Sequence, residues 1–401
     1  MAISSPRLPV VGSDDGTWGN VLNQFLEVSH TPDGKLKNVL EVKNVLQFGA
    51  KGDGVTDDTA AIQSVLSETT SAYVYFPGPA TYLIDALTGL RVASHQTLIL
   101  HPQAIVQVKP NNITHPYRAF LLDNVTNVTI HGGQIVGDRT NHIGTTGEWG
   151  FGIEMNNVQN VVIREVTIKD CWGDGMYIAK NSRQVKLERC VYDHNRRQGL
   201  SIISADKVDI VECRFYNTGG IAPQSGVDLE PNSSSETVRN IHFSRCQFEN
   251  NASASVTIQG ALGTVERVRF IDCESTGTDQ GFRLIQCNDI QIIGGSMSNN
   301  TSIGIHLVGV TNSIISNIST NDNLGSGRGV GIFVNNTSDG IGSSNIIVSN
   351  CLTSRNLYGI YVSTHSSGVT LIGNRATQNQ TTNIHIQPGA QDITQVGNVA
   401  P

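Results

Sequence analysis

From residue 151 onward one short phrase returns roughly every 20 to 30 residues: GIEMNN at 152, GMYIAKN at 175, GLSIISA at 199, GVDLEPN at 226, SVTIQG at 255, GFRLIQ at 281, GIHLVG at 304, GIFVNN at 331, GIYVST at 359 and NIHIQP at 383. Nearly all are Gly-led, and all alternate apolar and variable positions, the period-two signature of a strand with one buried face. A second apolar run follows each phrase, as in VVIREVTI, RQVKLERCVY, DKVDIVECRF and VRNIHFSRCQF. Units of two or three short strands cannot bury their apolar faces alone, so stacking them is the natural solution. The repeat predicts an all-β chain, a right-handed parallel β-helix (β-solenoid). An antiparallel sandwich would need hairpin turns and no fixed phrase.

Cysteine tests the register independently. Cys171, Cys190, Cys213, Cys246 and Cys273 fall just after the second apolar run of successive repeats, and Cys351 recurs in SNC. Such a ladder predicts buried free thiols acting as small apolar residues, since the spacing carries no CxxC zinc signature. Cys287 lies off the ladder. No metal site and no cofactor are expected.

A formal net charge of −7 gives no electrostatic footprint for nucleic acid, and no apolar stretch is long enough to span a bilayer. MAISSPRLPVVGSDDG lacks the apolar core of a secretory signal, which points to folding in a cytoplasm. Two segments are expected: residues 1–42, and a solenoid over 43–401. At the front of the second, KNVLQFGAKGDGVTDDTAAIQSVL reads as strand, turn and helix, with Ile62 and Val65 on one side. That short N-terminal helix would cap the open end of the solenoid, with Thr56 or Asp57 as N-cap. Asp53, Asp57 and Asp58 then serve the turn and the helix dipole rather than catalysis.

FGAKGDGVTDDTAAIQ, followed by VYFPGPATYLI and GGQIVGD, resembles the opening of the pectate-lyase-like superfamily of right-handed parallel β-helices. That group includes polygalacturonase-like hydrolases, mannuronan epimerases and bacteriophage tailspike depolymerases. The resemblance covers residues 43 to about 395. GSDDGTWGNVLNQFLEVSHTPDGKLK is similar to segments found near the ends of phage tail and baseplate proteins, and the layout is closest to a tailspike. It implies a homotrimer on a virion tail. Trp18, Val21, Leu22, Phe25 and Leu26 would contact a neighbouring subunit or a virion protein, or pack on the first coils.

Stacked in register, the phrases put Glu154, Tyr177, Ser201, Asp228, Thr257, Arg283, His306, Phe333, Tyr361 and His385 at one outward position. With strands ~4.8 Å apart, Glu154 to His306 would line a groove on the order of 30 Å long, enough for several sugar rings. Asp228 and Glu230 leave the same face of one strand, with Val227 and Leu229 inward. Both acids are expected to be exposed. Their Cα atoms would stand roughly 6.6 Å apart, which leans towards an inverting glycosidase, whose carboxyls sit about 6.5–9.5 Å apart around a water. Repulsion would keep one acid protonated as general acid and leave the other as base.

Asp174, in a tight turn two coils away, would complete the acid set or merely fix that turn. Arg197, with Asp193, His194 and Arg196, would grip a charged sugar or be solvated. Trp149, on the inserted DRTNHIGTTGEWG, would stack on a sugar or serve as cover, and the same two readings apply to Trp172. Glu154, Tyr177, Arg283 and His306 complete the substrate-binding candidates. An endo-acting glycoside hydrolase of a bacterial surface or extracellular polysaccharide is the leading reading.

GVDLEPN also resembles the uronate-epimerase strand that carries Asp-Pro-His-Glu, with Glu230 in place of its His and Ser225 in place of its Tyr. The alternative is therefore a polysaccharide lyase or uronate C5-epimerase using Arg283 with His306 or Tyr177. A non-catalytic glycan-binding tail protein is the third reading.

Overall fold

The computed structural model describes residues 8, 10–30, 42–67, 72–325 and 329–401. The chain divides after Val42. In the first unit α1 (Trp18–Ser29) buries none of its residues: Val21, Leu22 and Phe25 are half-buried, while Trp18 is 49% and Leu26 37% exposed.

The second unit is a parallel β-solenoid. Each coil contributes three strands, as in Gln198–Ile202, Ala205–Val211 and Arg214–Tyr216. Each pairs in parallel with its counterpart one coil on: Ser201 lies opposite Asp228, Val208 opposite Ile241 and Phe215 opposite Phe248. The first strands form a 12-stranded sheet, and the remaining strands join a 25-stranded one. Among the described residues no helix is long and apolar enough to cross a membrane.

Packing explains the repeat residue by residue. A Cβ on Gly199 would lie 2.5 Å from the Gly226 carbonyl oxygen, and one on Gly226 would lie 2.8 Å from that of Ser255. The next coil's backbone runs too close for any side chain there, hence the leading glycine. Behind it Val227 and Leu229 are fully buried, and Tyr192, Phe215 and Phe248 stack down the core with centroids 4.7 and 5.1 Å apart. All seven cysteines are buried and free, Cys287 included. Cys287 is therefore one more small core residue outside the ladder.

A buried amide ladder was not foreseen. The Oδ1 of Asn323 accepts the backbone N–H of Asn300, Asn356 does the same for Asn323, and Asn379 for Asn356, each at 3.0 Å. These side chains satisfy turn amides that no strand partner reaches.

At the front, α2 (Thr59–Leu66) buries Ile62, Val65 and Leu66 against the first coils. Its N-cap is Asp58, not Thr56 or Asp57, because Asp53–Asp57 is a strand. All three acids hold local groups. Asp53 accepts the N–H of Val55 and of Thr56, Asp57 accepts the N–H of Thr59 at 3.0 Å, and Asp58 accepts from Lys51 and Gly52 at 2.6 and 3.0 Å.

Candidate active site

The outward ladder of the 12-stranded sheet follows the expected register: Glu154, Tyr177, Ser201, Asp228, Thr257, Arg283, His306, Phe333, Tyr361 and His385 are successive cross-strand partners. Asp228 lies in the strand Ser225–Leu229, and Glu230 follows it, still donating its N–H to the Ile202 carbonyl at 3.1 Å.

Two expectations about this pair need correction. Asp228 is only 2% exposed, because the neighbouring coil covers it. Gln198 donates from Nε2 to Asp228 Oδ2 at 2.8 Å, while its Oε1 accepts the Ser225 N–H at 2.8 Å. Nor do the carboxyls stand apart around a water. They lie within reach of each other, and Asp228 Oδ1 is buried and receives no hydrogen bond among the described residues. Two carboxyls this close need a proton between them. Burial first, and then Glu230, push the Asp228 pKa well above the ordinary carboxylate range, so Asp228 holds that proton. Glu230, half-buried, is the member that reaches the surface.

Arg197 is the cation of the cluster. Its Nη1 lies 3.0 Å from Asp174 Oδ2, and its Nε, which makes no hydrogen bond, lies 3.6 Å from Glu148 Oε2. Burial opposes its charge, but Asp174, Asp228 and Glu148 outweigh burial and hold the guanidinium above its ordinary pKa. One guanidinium cannot balance Asp174, Asp228, Glu230 and Glu148 together, and the most enclosed acids respond. Burial raises the pKa of fully buried Asp174 despite Arg197 and the Ser201 hydroxyl at 2.8 Å. Arg197 is thus neither solvated nor free to grip a sugar, and Asp174 reaches no substrate directly.

Other candidates also find partners. Glu154 receives Arg118 Nε at 2.6 Å and Asn156 Nδ2 at 2.7 Å. Tyr177 stacks on Phe151 with centroids 4.8 Å apart, and burial, with Asp174 nearby, pushes its phenol to about 12. His306 donates from Nδ1 to Gln280 Oε1 at 3.0 Å and accepts Asn335 Nδ2 on Nε2 at 3.1 Å, so both ring nitrogens are engaged. Arg283 makes no side-chain hydrogen bond or ion pair among the described residues, where it stands half-buried two strands from Asp228. Asp193 accepts from Asn217, and His194 pairs with Asp170 at 2.6 Å, outside the cluster.

The inserted loop is pinned at its base. Asp138 accepts from Tyr117 Oη at 2.8 Å and from His142 and Asn111 at 2.7 Å. The His142 ring stacks on Trp172 at 3.9 Å, and the Arg196 guanidinium lies 3.7 Å from the Trp172 centroid. Trp172 is therefore packing, and Arg196 is not simply solvated. Trp149 stays 39% exposed beside Glu148. Sequence reasoning passed over Glu148, Gln198 and Ser201 as working members of the site. Gln198 directly precedes the leading glycine of its phrase, as Ser225 does in the next coil, and that shared place was the available signal. No group of three or more His, Cys, Asp or Glu among the described residues could hold a metal ion.

Comparison with known proteins places the fold. The YclG protein of Bacillus subtilis is 34% identical over 253 residues, 54% of this chain and 43% of that protein. The chain spans less than half the length of the curated relatives YclG and YorA that it matches. The tailspike protein gp208 of Dettilon superposes with a TM-score of 0.72 at 15% identity, covering 92% of this chain and 73% of that one. The A-module of the mannuronan C-5 epimerase AlgE6 of Azotobacter vinelandii gives 0.68 at 17% identity, covering 89% and 98%. The family model described as "Right handed beta helix region" matches residues 96–266 and 225–400. With the stacked parallel coils and the matched repeat both in place, the chain belongs to the right-handed beta helix family.

Proposed function

We propose that the protein is a polysaccharide depolymerase, an endo-acting glycoside hydrolase whose proton donor is the Asp228–Glu230 dyad. The observation that carries this reading is the close pairing of one buried and one surface-reaching carboxyl at neighbouring outward positions of one coil. Such a pair shares one proton and separates into an acid and an acceptor. The proton leaves through Glu230 to the glycosidic oxygen as the bond to the anomeric carbon breaks, and Asp228 restores it. The two acids are too close together to flank a water. Glu148, across Arg197 on the loop, is the exposed carboxylate suited to take a proton from the attacking water. Trp149 beside it suits the face of a sugar ring.

The likeness in fold to an epimerase of mannuronan and to a phage tailspike supports a polysaccharide as substrate and a virion tail as location. Elimination or epimerisation has less support: Tyr177 holds its proton to about 12, and both ring nitrogens of His306 are engaged. Incubation with purified bacterial capsular, extracellular and lipopolysaccharides, followed by mass spectrometry, tests the reading. Saturated oligosaccharides are expected, with Glu230→Gln lowering the rate by about 10²–10⁴-fold. Unsaturated chain ends, or full activity in Glu230→Gln, would overturn it.

A further inference from the structure

Beyond Arg283 the outward ladder changes character. His306, Phe333, Tyr361 and His385 follow one another without interruption at the position that Glu154, Ser201, Asp228 and Thr257, with the single ring of Tyr177, fill in earlier coils. His306 and Phe333 stack with centroids 5.0 Å apart and planes 6° apart. Tyr361 then turns 71° from Phe333, and Tyr358 stands 86° from Tyr361 at 5.2 Å. The core does not need these rings. Ile305, Ile332 and Ile360 on the opposite face of the same strands are fully buried, while the rings remain half-exposed. A row of solvent-facing aromatics is a cost to a folded chain unless something covers it.

Beside the row lies an open depression of about 770 Å³, lined by Phe333, Tyr358 and Tyr361 with Gln280, Asn335 and Asp279. A mostly polar lining of carboxylate, amide and hydroxyl groups, with three aromatic rings set into it, is the make-up of a site for a polar ligand with C–H faces. The row continues the ladder that bears Asp228, which lies about 19 Å from Phe333 and about 24 Å from Tyr361 at ~4.8 Å per strand.

We propose that the aromatic row and its depression form a second, non-catalytic polysaccharide-binding platform, which holds the same polymer several sugar rings away from the dyad. The placement of that polymer rests on the proposed hydrolase reading. Gln280 and Asn335 have a defined part in it, since both hold His306 flat against Phe333.

The test measures binding apart from cleavage. Glu230→Gln protein is run in native gels cast with each of the same purified bacterial capsular, extracellular and lipopolysaccharides. Retardation is expected in at least one gel. Tyr361→Ala or Phe333→Ala, added to Glu230→Gln, should weaken it about tenfold, whereas Tyr361→Phe should retain it. With Glu230 intact, Tyr361→Ala should raise KM for the long polymer and leave kcat on its shortest cleavable fragments unchanged. Unretarded migration in every gel overturns the platform, as does equal retardation of parent and Ala variants. So does a self-association that Tyr361→Ala abolishes without any polysaccharide bound. Should Glu230→Gln still cleave while Tyr361→Ala loses binding, the assignment of the dyad as proton donor fails and the platform stands.

Discussion

Asp228 shows how burial changes the meaning of a residue. Because its pKa is raised in the folded chain, the native state keeps a proton that the unfolded chain releases above about 3.8. Stability from this group is therefore greatest at or below that pH and falls as pH rises towards the folded pKa. Asn mimics the neutral acid and retains the Gln198 contact. Asp228→Asn is expected to melt within about 1 kcal/mol of the parent in acid and to gain on it steadily up to neutral pH, while losing cleavage. Melting curves across that range check it: a difference that does not change with pH would mean that Asp228 is ionised. Asp228→Ala strands the Gln198 amide and is expected to cost about 1–3 kcal/mol. Arg283 has the opposite character, a half-buried cation without a partner among the described residues. Arg283→Ala should weaken binding of acidic polysaccharides at low salt and barely change it at high salt or for neutral polymers. Equal losses for both polymer classes would rule out a charge-reading role.

A single strand and its turns are legible in sequence, but what lies over them is not. Val227 and Leu229 inward, and Asp228 opposite Ser201 and Thr257, follow from a fixed phrase and a period of two. The cover on Asp228 does not, because Gln198 arrives from 30 residues away and its amide reads in sequence as one more polar residue. The closeness of Asp228 and Glu230 was also hidden, since Cα spacing along a strand leaves the side-chain rotamers open. The helix cap was missed by one residue because Asp53 folds the preceding segment into a turn and strand. The asparagine ladder belongs to this scale as well. Asn323 accepts the Asn300 N–H and the Asn300 side-chain amide and donates to the Met297 carbonyl at 3.1 Å, so Asn323→Ala takes the partner from three buried groups. The expected loss is about 3–6 kcal/mol by denaturant titration, taking about 1–2 for each group. Asn323→Asp keeps the acceptor and should lose less at low pH than at neutral pH. A loss under 0.5 kcal/mol for Ala, on the order of a surface change, would show that water replaces the amide.

For the whole molecule, constant register has a further consequence: the solenoid works as a ruler marked in coils. The dyad and the aromatic row are separated by whole strand spacings, so inserting or removing one coil between them moves one relative to the other by a single step of ~4.8 Å. The buried ladders of aromatic rings, cysteine and asparagine would hardly register such an edit, because each coil touches only its neighbours. A polymer lying on this face would register it at once, since its own repeat need not divide evenly into that step. Polymer choice in such a chain can therefore shift by whole-coil gain or loss, with the proton-sharing acids left untouched.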